Sequence, residues 1–457
     1  MFKKVLIANR GEIALRVIRA CREMGIRTVA VFSQADADSL HVRHADESVC
    51  IGPAPSPKSY LNVPSIIAAA EVTNADAIHP GTGFLAESAH FAEVCRECKI
   101  AFIGPSVENI ATMGDKVQAR QSVGKAGIPL VPSGRRRRRG LRSHQHELAD
   151  TEDEALAIAR EIGYPVMIKA AAGGGGRGIR AAHNDVSLVA LFRTTRAEAK
   201  AAFGREDVYI EKLVQDARHI EFQVMGDQHG NIIHFGERDC SIQRKHQKLV
   251  EETPSNIDPK VRDEIGRLVL RAARAIHYEN AGTMEFLVTD DGEFYFLEMN
   301  TRIQVEHTIT EQVCGEDLVK WQIRVAAGER LTLEQKNVTL KGHAIQCRIN
   351  AEDPDKGFMP TPGRIVTYQT PGGPGVRIDS HAFAGYLIPP YYDSLISKLV
   401  TFGATREEAI ARMRRALDEY TIAGVKTTIP FHRRVMDDTD FLAGCVHTSF
   451  VERLGIA

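Results

Sequence analysis

The residues best suited to chemistry gather at Glu285, Glu298, Asn300, Arg302 and Glu306. Most lie in Gly292-Glu-Phe-Tyr-Phe-Leu-Glu-Met-Asn-Thr-Arg-Ile-Gln-Val-Glu-His307. This stretch opens as a strand, and a period of two places Phe294, Phe296, Glu298 and Asn300 on one face. Gly282-Thr-Met-Glu-Phe-Leu-Val-Thr289 reads as a second strand, and Asp291-Gly292 is a type I′ hairpin signal. Counting outward from that two-residue turn sets Glu285 directly opposite Glu298. Like charges so opposed repel one another, so a cation belongs between them. Two carboxylates and the Asn300 amide oxygen are hard ligands suited to Mg²⁺.

The run Gly173-Gly-Gly-Gly-Arg-Gly178 formally contains Gly-x-Gly-x-x-Gly, but it lies mid-chain and Ile179-Arg-Ala-Ala after it does not read as a helix. No Gly-Lys-Ser/Thr ends it. Neither a dinucleotide fingerprint nor a Walker A loop is indicated. Adjacent glycines offer either a plain linker or a pliable loop whose amides approach phosphate oxygens. Lys169 just before the run and Lys116 on an earlier element supply positive charge for a polyphosphate. A polyphosphate also gives the Glu285/Glu298 face its reason, because Mg²⁺ bridges carboxylates to phosphates. Arg244, Lys245, His246, Lys248 and Arg348 are further basic candidates for a small anionic second substrate. Glu306, four residues beyond Arg302, is placed to act as general base. In combination these features point to an ATP-dependent ligase.

The elements that must position these groups form several α/β units. Lys4-Val-Leu-Ile-Ala8, a helix over 11–24, Ile26–Phe32, a helix near 64–73, Ala75–Ile78, a helix near 87–98 and Ile100–Gly104 predict an open parallel sheet, Rossmann-like in outline. The first turn, Asn9-Arg10-Gly11-Glu12, lacks the dinucleotide glycines. Asp115 caps a helix that carries Lys116 and ends at Gly127. Five arginines, Arg135–Arg139, repel one another and predict a solvated loop. A second unit has a helix over Glu152–Ile162, strands at Tyr164–Ala170 and Val208–Lys212, and helices near 184–202. Antiparallel strands fill 218–250, and a helix near 259–277 leads into the hairpin. From about 331 the chain is strand-rich, with a helix near 405–420 that has Thr405 and Glu408 in capping-box spacing.

With 457 residues and an apolar share of 43%, the chain has material for two to four domains. Its net charge of −1 gives no global case for nucleic acid or an anionic membrane. The N-terminus has too short an apolar run for a signal peptide, and no run approaches the ~20 residues that span a bilayer. Eight cysteines in a chain this long do not make a disulfide framework, so an intracellular, cytoplasmic location is expected.

Six segments together resemble the biotin carboxylase subunits of acetyl-CoA carboxylases, members of the ATP-grasp superfamily. They are Lys4–Ala14, His79-Pro-Gly-Thr-Gly-Phe-Leu85, Gly173–Gly178, Glu237-Arg-Asp-Cys-Ser-Ile-Gln-Arg-Lys-His-Gln-Lys248, Glu298–His307 and Arg348-Ile-Asn-Ala-Glu-Asp353. The resemblance implies an α/β and α+β fold: an N-terminal α/β domain (1–113), an ATP-grasp domain (114–330) with a glycine-rich lid near 131–213, and a β-rich C-terminal domain (331–457). It implies ATP contacts from Lys116, Lys169, Gly175, Gly176, Glu211, Lys212, Val214, His219, Gln243 and His246. Mg²⁺ or Mn²⁺ would rest on Glu285, Glu298 and Asn300. Bicarbonate would be held by Lys248, Arg302 and the Val305 backbone, with Glu306 as base and Arg348 stabilising charge on carboxyphosphate and the biotin enolate. No Met-Lys-Met biotin-attachment motif occurs. Biotin is therefore expected on a separate biotin carboxyl carrier protein, with carboxyltransferase subunits as further partners and a homodimer as the family's implication. Another acyl-CoA or pyruvate carboxylase, or a different ATP-grasp ligase, is the alternative. The chain departs from the pattern at Thr82 (usually Tyr), Ser88 (usually Asn), Ala171-Ala172 (usually Ser-Gly) and the arginine tract.

Overall fold

The computed structural model describes residues 1–133, 148–171 and 178–455. Gly175, Gly176 and the arginine tract lie outside them. Strand β1 (Lys4–Ile7) carries Val5, Leu6 and Ile7, all fully buried, as expected of a parallel strand covered on both faces. With β2 (Arg27–Ser33), β3 (Glu47–Gly52), β4 (Ala77–His79) and β5 (Ala101–Phe102) it forms a parallel sheet of order β3-β2-β1-β4-β5. The order reverses between β1 and β4, so the loops that follow these two strands face each other at the sheet's carboxyl edge. Asn9 ties them, donating to the carbonyls of Pro80 (2.7 Å) and Thr82 (2.9 Å). A Cβ on Gly81 would lie 2.9 Å from the Asn9 amide nitrogen, so the loop requires glycine there.

The helix Lys116–Lys125 is capped by Asp115, which accepts from the amides of Val117 and Gln118. Beyond it, β6 (Val166–Ala170), β7 (Ile179–Ala182) and β8 (Val208–Lys212) make a small antiparallel sheet. Helices Glu152–Ile162 and Asp185–Phe203 cover it around Ile158, Ile168, Leu188 and Ile210. Thr151 and Glu154 close a capping box on the first of these helices.

The large sheet holds most of the candidate residues. Its strands are β9 (Arg218–Gly226), β10 (Ile232–Arg244), β11 (Gln247–Thr253), β12 (Asn280–Val288), β13 (Phe294–Asn300) and β14 (His343–Asn350). After β14 come the short strands β15 (Glu352–Asp353), β16 (Met359–Pro360), β17 (Gly363–Arg364) and β18 (Thr367–Gln369), then β19 (Val376–Ser380), β20 (Leu387–Ile388) and β21 (Leu395–Gly403). Among the described residues the order is β13-β12-β9-β10-β11-β14-β21-β19. Because β11 pairs with β14, strands from either side of residue 330 share one continuous sheet. Helix Arg406–Glu419, capped by Thr405, buries Met413 and Leu417 on it. No helix among the described residues is long and apolar enough to cross a membrane.

The β12–β13 hairpin corrects two expectations and keeps a third. Its turn is not the two-residue type: Thr289 pairs with Glu293 around Asp290-Asp291-Gly292, with Gly292 at φ 85°. That change alone would shift the register by one. A bulge at Leu297 shifts it back, because Phe286 faces Phe296 while Glu285 faces Glu298. The same bulge turns the strand over. Phe294, Phe296 and Met299 enter the core with Met284, Phe286 and Val288, so Glu298 and Asn300 lie on the opposite face from the two phenylalanines.

Candidate active site

Register across four strands lines up Arg238 on β10, Glu221 on β9, Glu285 on β12 and Glu298 on β13. Three successive directly opposed carboxylates are unfavourable unless cations intervene. Arg238, fully buried, donates to Glu221 and also to Gln223, Thr310 and Thr283. Lys248 enters from β11 and its ammonium contacts Glu221, Glu285 (2.9 Å) and Glu306 (2.7 Å). Burial alone would lower the Lys248 pKa, but these acids hold it well above the lysine range.

Glu285 accepts from Lys248, from Asn300 Nδ2 (2.8 Å) and from Gln304 Nε2 (2.8 Å), and its second oxygen lies 2.9 Å from His219 Nε2. Burial opposes its ionisation, yet Lys248 and His219 keep its carboxyl well below the usual range. His219 rises in turn, because Glu285 outweighs the effect of burial. Glu298 contrasts with its neighbour. Half-buried, it makes no hydrogen bond or ion pair among the described residues. Burial and then Glu285 push its carboxyl up, against Lys116 and Lys169.

Glu306 is fully buried at the start of helix His307–Cys314, where it is held by Lys248 on one oxygen and by Arg348 Nη2 (2.9 Å) on the other. Burial would raise its pKa, but Lys248, Arg348 and Arg238 hold it far below the carboxylate range. Arg348 is itself anchored by Glu251 at 2.6 Å. Arg302 reaches outward to Glu87 (3.1 Å), Thr82 Oγ1 (3.1 Å) and Asn300 Oδ1 (3.1 Å). Thr82 therefore stands in the site as a hydroxyl acceptor for Arg302. Ser88 keeps the local fold by capping helix Ala89–Glu97.

Toward the small sheet, Lys169 pairs with buried Glu211, which also meets Arg120 at 3.3 Å. Lys116 makes no hydrogen bond or ion pair among the described residues. Burial lowers its pKa, with Glu298 opposing and Lys169 adding to the fall. Lys212 donates to the carbonyls of Gly163 and Tyr164 at 3.0 Å each, and so ties the small sheet to its own helix connection. Val214 is half-buried just past β8. Gln243 faces Lys248 across the β10–β11 hairpin, and His246 sits in its turn at φ 64°.

The structure thus joins Lys248, His219, Glu285, Asn300, Arg302, Glu306 and Arg348 in one polar cluster, with Lys116, Lys169 and Glu298 along one edge. Sequence reasoning missed Glu221, Arg238, Glu251 and Glu87. A signal for the first existed: in Arg218–Val224, the polar residues His219, Glu221 and Gln223 alternate with Ile220, Phe222 and Val224. Such alternation on a strand buried on both faces marks a polar site.

The oxygen donors of Glu285, Glu298 and Asn300 suit a hard divalent cation, and unpaired Glu298 beside Lys116 and Lys169 suits a cation bridged to an anion. Known proteins resemble the chain along its whole length. Residues 1–110 match the biotin carboxylase N-terminal domain, 115–334 the carbamoyl-phosphate synthase L chain ATP-binding domain, and 346–453 the biotin carboxylase C-terminal domain. A biotin carboxylase from Nostoc sp. is 58% identical over 99% of both chains. A pyruvate carboxylase subunit from Methanothermobacter thermautotrophicus is 54% identical over 99% of this chain and 90% of its own. The biotin carboxylase domain dimer of Hydrogenobacter thermophilus 2-oxoglutarate carboxylase was solved with MgADP, ADP and bicarbonate. It superposes with a TM-score of 0.94 at 51% identity, covering 100% of this chain and 98% of that one.

Proposed function

The chain belongs to the biotin carboxylase family of ATP-grasp ligases, and we propose that it carboxylates biotin on a separate carrier protein as the first half-reaction of an acetyl-CoA carboxylase. The observation that carries this reading is the juxtaposition of a fully buried Glu306, gripped by Lys248 and Arg348 at the start of helix His307–Cys314, with an unpaired Glu298 on strand β13. The first suits a base for a small anion. The second suits a divalent cation shared with a nucleotide.

In this proposal Glu285, Glu298 and Asn300 hold Mg²⁺, and Lys116 and Lys169, with Gly175 and Gly176, are assigned to the phosphates. MgATP, when bound, supplies the phosphoryl group that activates bicarbonate as carboxyphosphate. Lys248, Arg302 and the Val305 backbone hold bicarbonate, and Glu306 takes its proton. While Lys248 and Arg348 both grip Glu306, its basicity is low; bicarbonate drawing on Lys248 frees one carboxylate oxygen and raises it. Carboxyphosphate then yields CO₂ and phosphate, phosphate removes the ureido proton of biotin, and Arg348 stabilises the enolate that takes up CO₂. Glu211, Lys212, Val214, His219, Gln243 and His246 are assigned to the nucleoside side. A dimer like that of the Hydrogenobacter domain is proposed with them.

The test is ADP release by the purified chain with MgATP. Release is expected to require bicarbonate, to rise with free biotin, and to be lost in Glu298→Ala. Turnover stimulated by an amine in place of biotin would instead assign another ATP-grasp ligase. Relatives in pyruvate and 2-oxoglutarate carboxylases make the final acceptor the open variable. Reconstitution with the organism's own carrier and carboxyltransferase is expected to yield malonyl-CoA from acetyl-CoA rather than oxaloacetate from pyruvate.

A further inference from the structure

The C-terminal part of the large sheet sends a second cation to the Val305–Glu306 segment. Lys398 on β21 lies directly opposite Arg348 on β14 and directly opposite Asp379 on β19. Residues so opposed point to the same face, so two cations stand side by side in one cross-strand row. Arg348 reaches the carboxylate of Glu306. Lys398 Nζ donates to the carbonyl oxygen of Val305 at 3.2 Å, the oxygen of the peptide that joins Val305 to Glu306.

Lys398 is fully buried, which is costly for an ammonium beside a guanidinium. Two acids balance it: Glu12 at 3.0 Å, from the helix Gly11–Glu23, and Asp379 at 3.8 Å. Asp379 is also paired with Arg377 at 2.7 Å. Packing does not require this arrangement, since a buried ion pair is often replaceable by apolar side chains of similar volume without loss of stability. What an apolar side chain cannot do is hold a carbonyl. Glu306 stands at the N-cap of helix His307–Cys314 without a side-chain capping bond. The planar peptide gripped at its oxygen by Lys398 therefore fixes where the Glu306 side chain begins and how the Val305 backbone is presented.

We propose that Lys398 is a positioning residue for bicarbonate deprotonation, holding the Val305–Glu306 peptide so that Glu306 and the Val305 backbone meet the anion in register. The inference rests on the assignment of Glu306 as the base. Two regions take part, the loop after β13 through Val305 and the C-terminal sheet through Lys398, while Glu12 of the N-terminal region serves only to balance the charge of Lys398. Binding of bicarbonate thereby depends on a contact outside the nucleotide site.

The experiment uses the full chain with Lys398→Met combined with Glu12→Gln, which removes the cation and one acid together, and Glu12→Gln alone as its control. The double variant is expected to lose about ten- to hundredfold in kcat/KM for bicarbonate, the scale of a misplaced reacting group. Its KM for MgATP should stay within about twofold of the parent, and the control should stay within about twofold for both substrates. Lys398→Arg, which restores a cationic donor, should recover part of the bicarbonate effect. If the double variant fails to fold, Lys398→Met with Glu12→Met, which replaces the ion pair by apolar groups of similar volume, is read in the same way against Glu12→Met alone. Unchanged bicarbonate kinetics in a folded variant, or equal losses for bicarbonate and MgATP, overturn the positioning role. A parent chain without bicarbonate-dependent turnover overturns the assignment of Glu306 itself, and the positioning role with it.

Discussion

The two edges of the polar cluster are built on opposite principles. Around Glu306 the charges are closed: Lys248 contacts three carboxylates, Arg348 bridges Glu251 and Glu306, and Arg238 is satisfied by four acceptors. At the nucleotide edge, Lys116 and Glu298 make no hydrogen bond or ion pair among the described residues, although both titrate away from their usual values through burial. One edge is organised before any ligand arrives, and the other is left for a ligand to complete. Preorganised charge suits the base, whose geometry must be right at the moment of proton transfer. Charge left unpaired suits the nucleotide side, where binding itself supplies the missing counter-ions.

Glu306→Gln breaks the closed edge most directly. It keeps shape and removes the base. Bicarbonate-dependent ADP release is expected to fall about 10³-fold, within the usual range for a general base, with the KM for MgATP nearly unchanged. A variant with turnover close to the parent would remove Glu306 from the reaction.

Lys248→Met tests the same edge through stability. Removing one ammonium leaves Glu221, Glu285 and Glu306 facing one another in a buried space, which is expected to cost about 3–5 kcal/mol. Lys116→Met, at the open edge, is expected to change stability by less than about 0.5 kcal/mol while weakening MgATP. Denaturant unfolding of both variants measures the contrast, and equal destabilisation would dissolve the distinction between the edges.

How far the sequence carried this site depends on sequence separation. The Glu285–Glu298 pairing is local to one hairpin and was legible, although a three-residue turn and a bulge at Leu297 reach it by a different route from the simple count. Helix Glu152–Ile162 and strand Val208–Lys212 were legible to the residue: a capping box opens the helix, and Val208, Tyr209 and Ile210, all strand-favouring, open the strand. Glu221 was written in the alternation of its strand, yet its meaning depends on β9 lying between β10 and β12, a placement that no local pattern specifies. Lys398 was illegible for the same reason. Its role follows from its register with Arg348 and Asp379 on two other strands, and from Glu12 far away at the first helix.

The smallest expected effect sharpens the comparison most, because its sign differs between the edges. Burial and Glu285 raise the Glu298 carboxyl in the folded chain. A carboxyl raised above its unfolded value adds nothing unfavourable below the unfolded pKa, where both states are neutral. As the pH rises through the carboxylate range, the unfolded chain ionises more readily and folding is penalised. Glu306 and Glu285 have the reverse sign, because their depressed carboxyls stabilise the fold above that range and lose this as the pH falls. Without nucleotide at pH 7, Glu298→Gln is therefore expected to be more stable than the parent by ~1 kcal/mol, and the gain should vanish below about pH 4. MgATP should invert the ranking, since the parent gains more from binding than the variant does. Thermal unfolding at neutral and acidic pH, with and without MgATP, decides it: a variant less stable than the parent at pH 7 without nucleotide would mean that Glu298 already has its counter-charge.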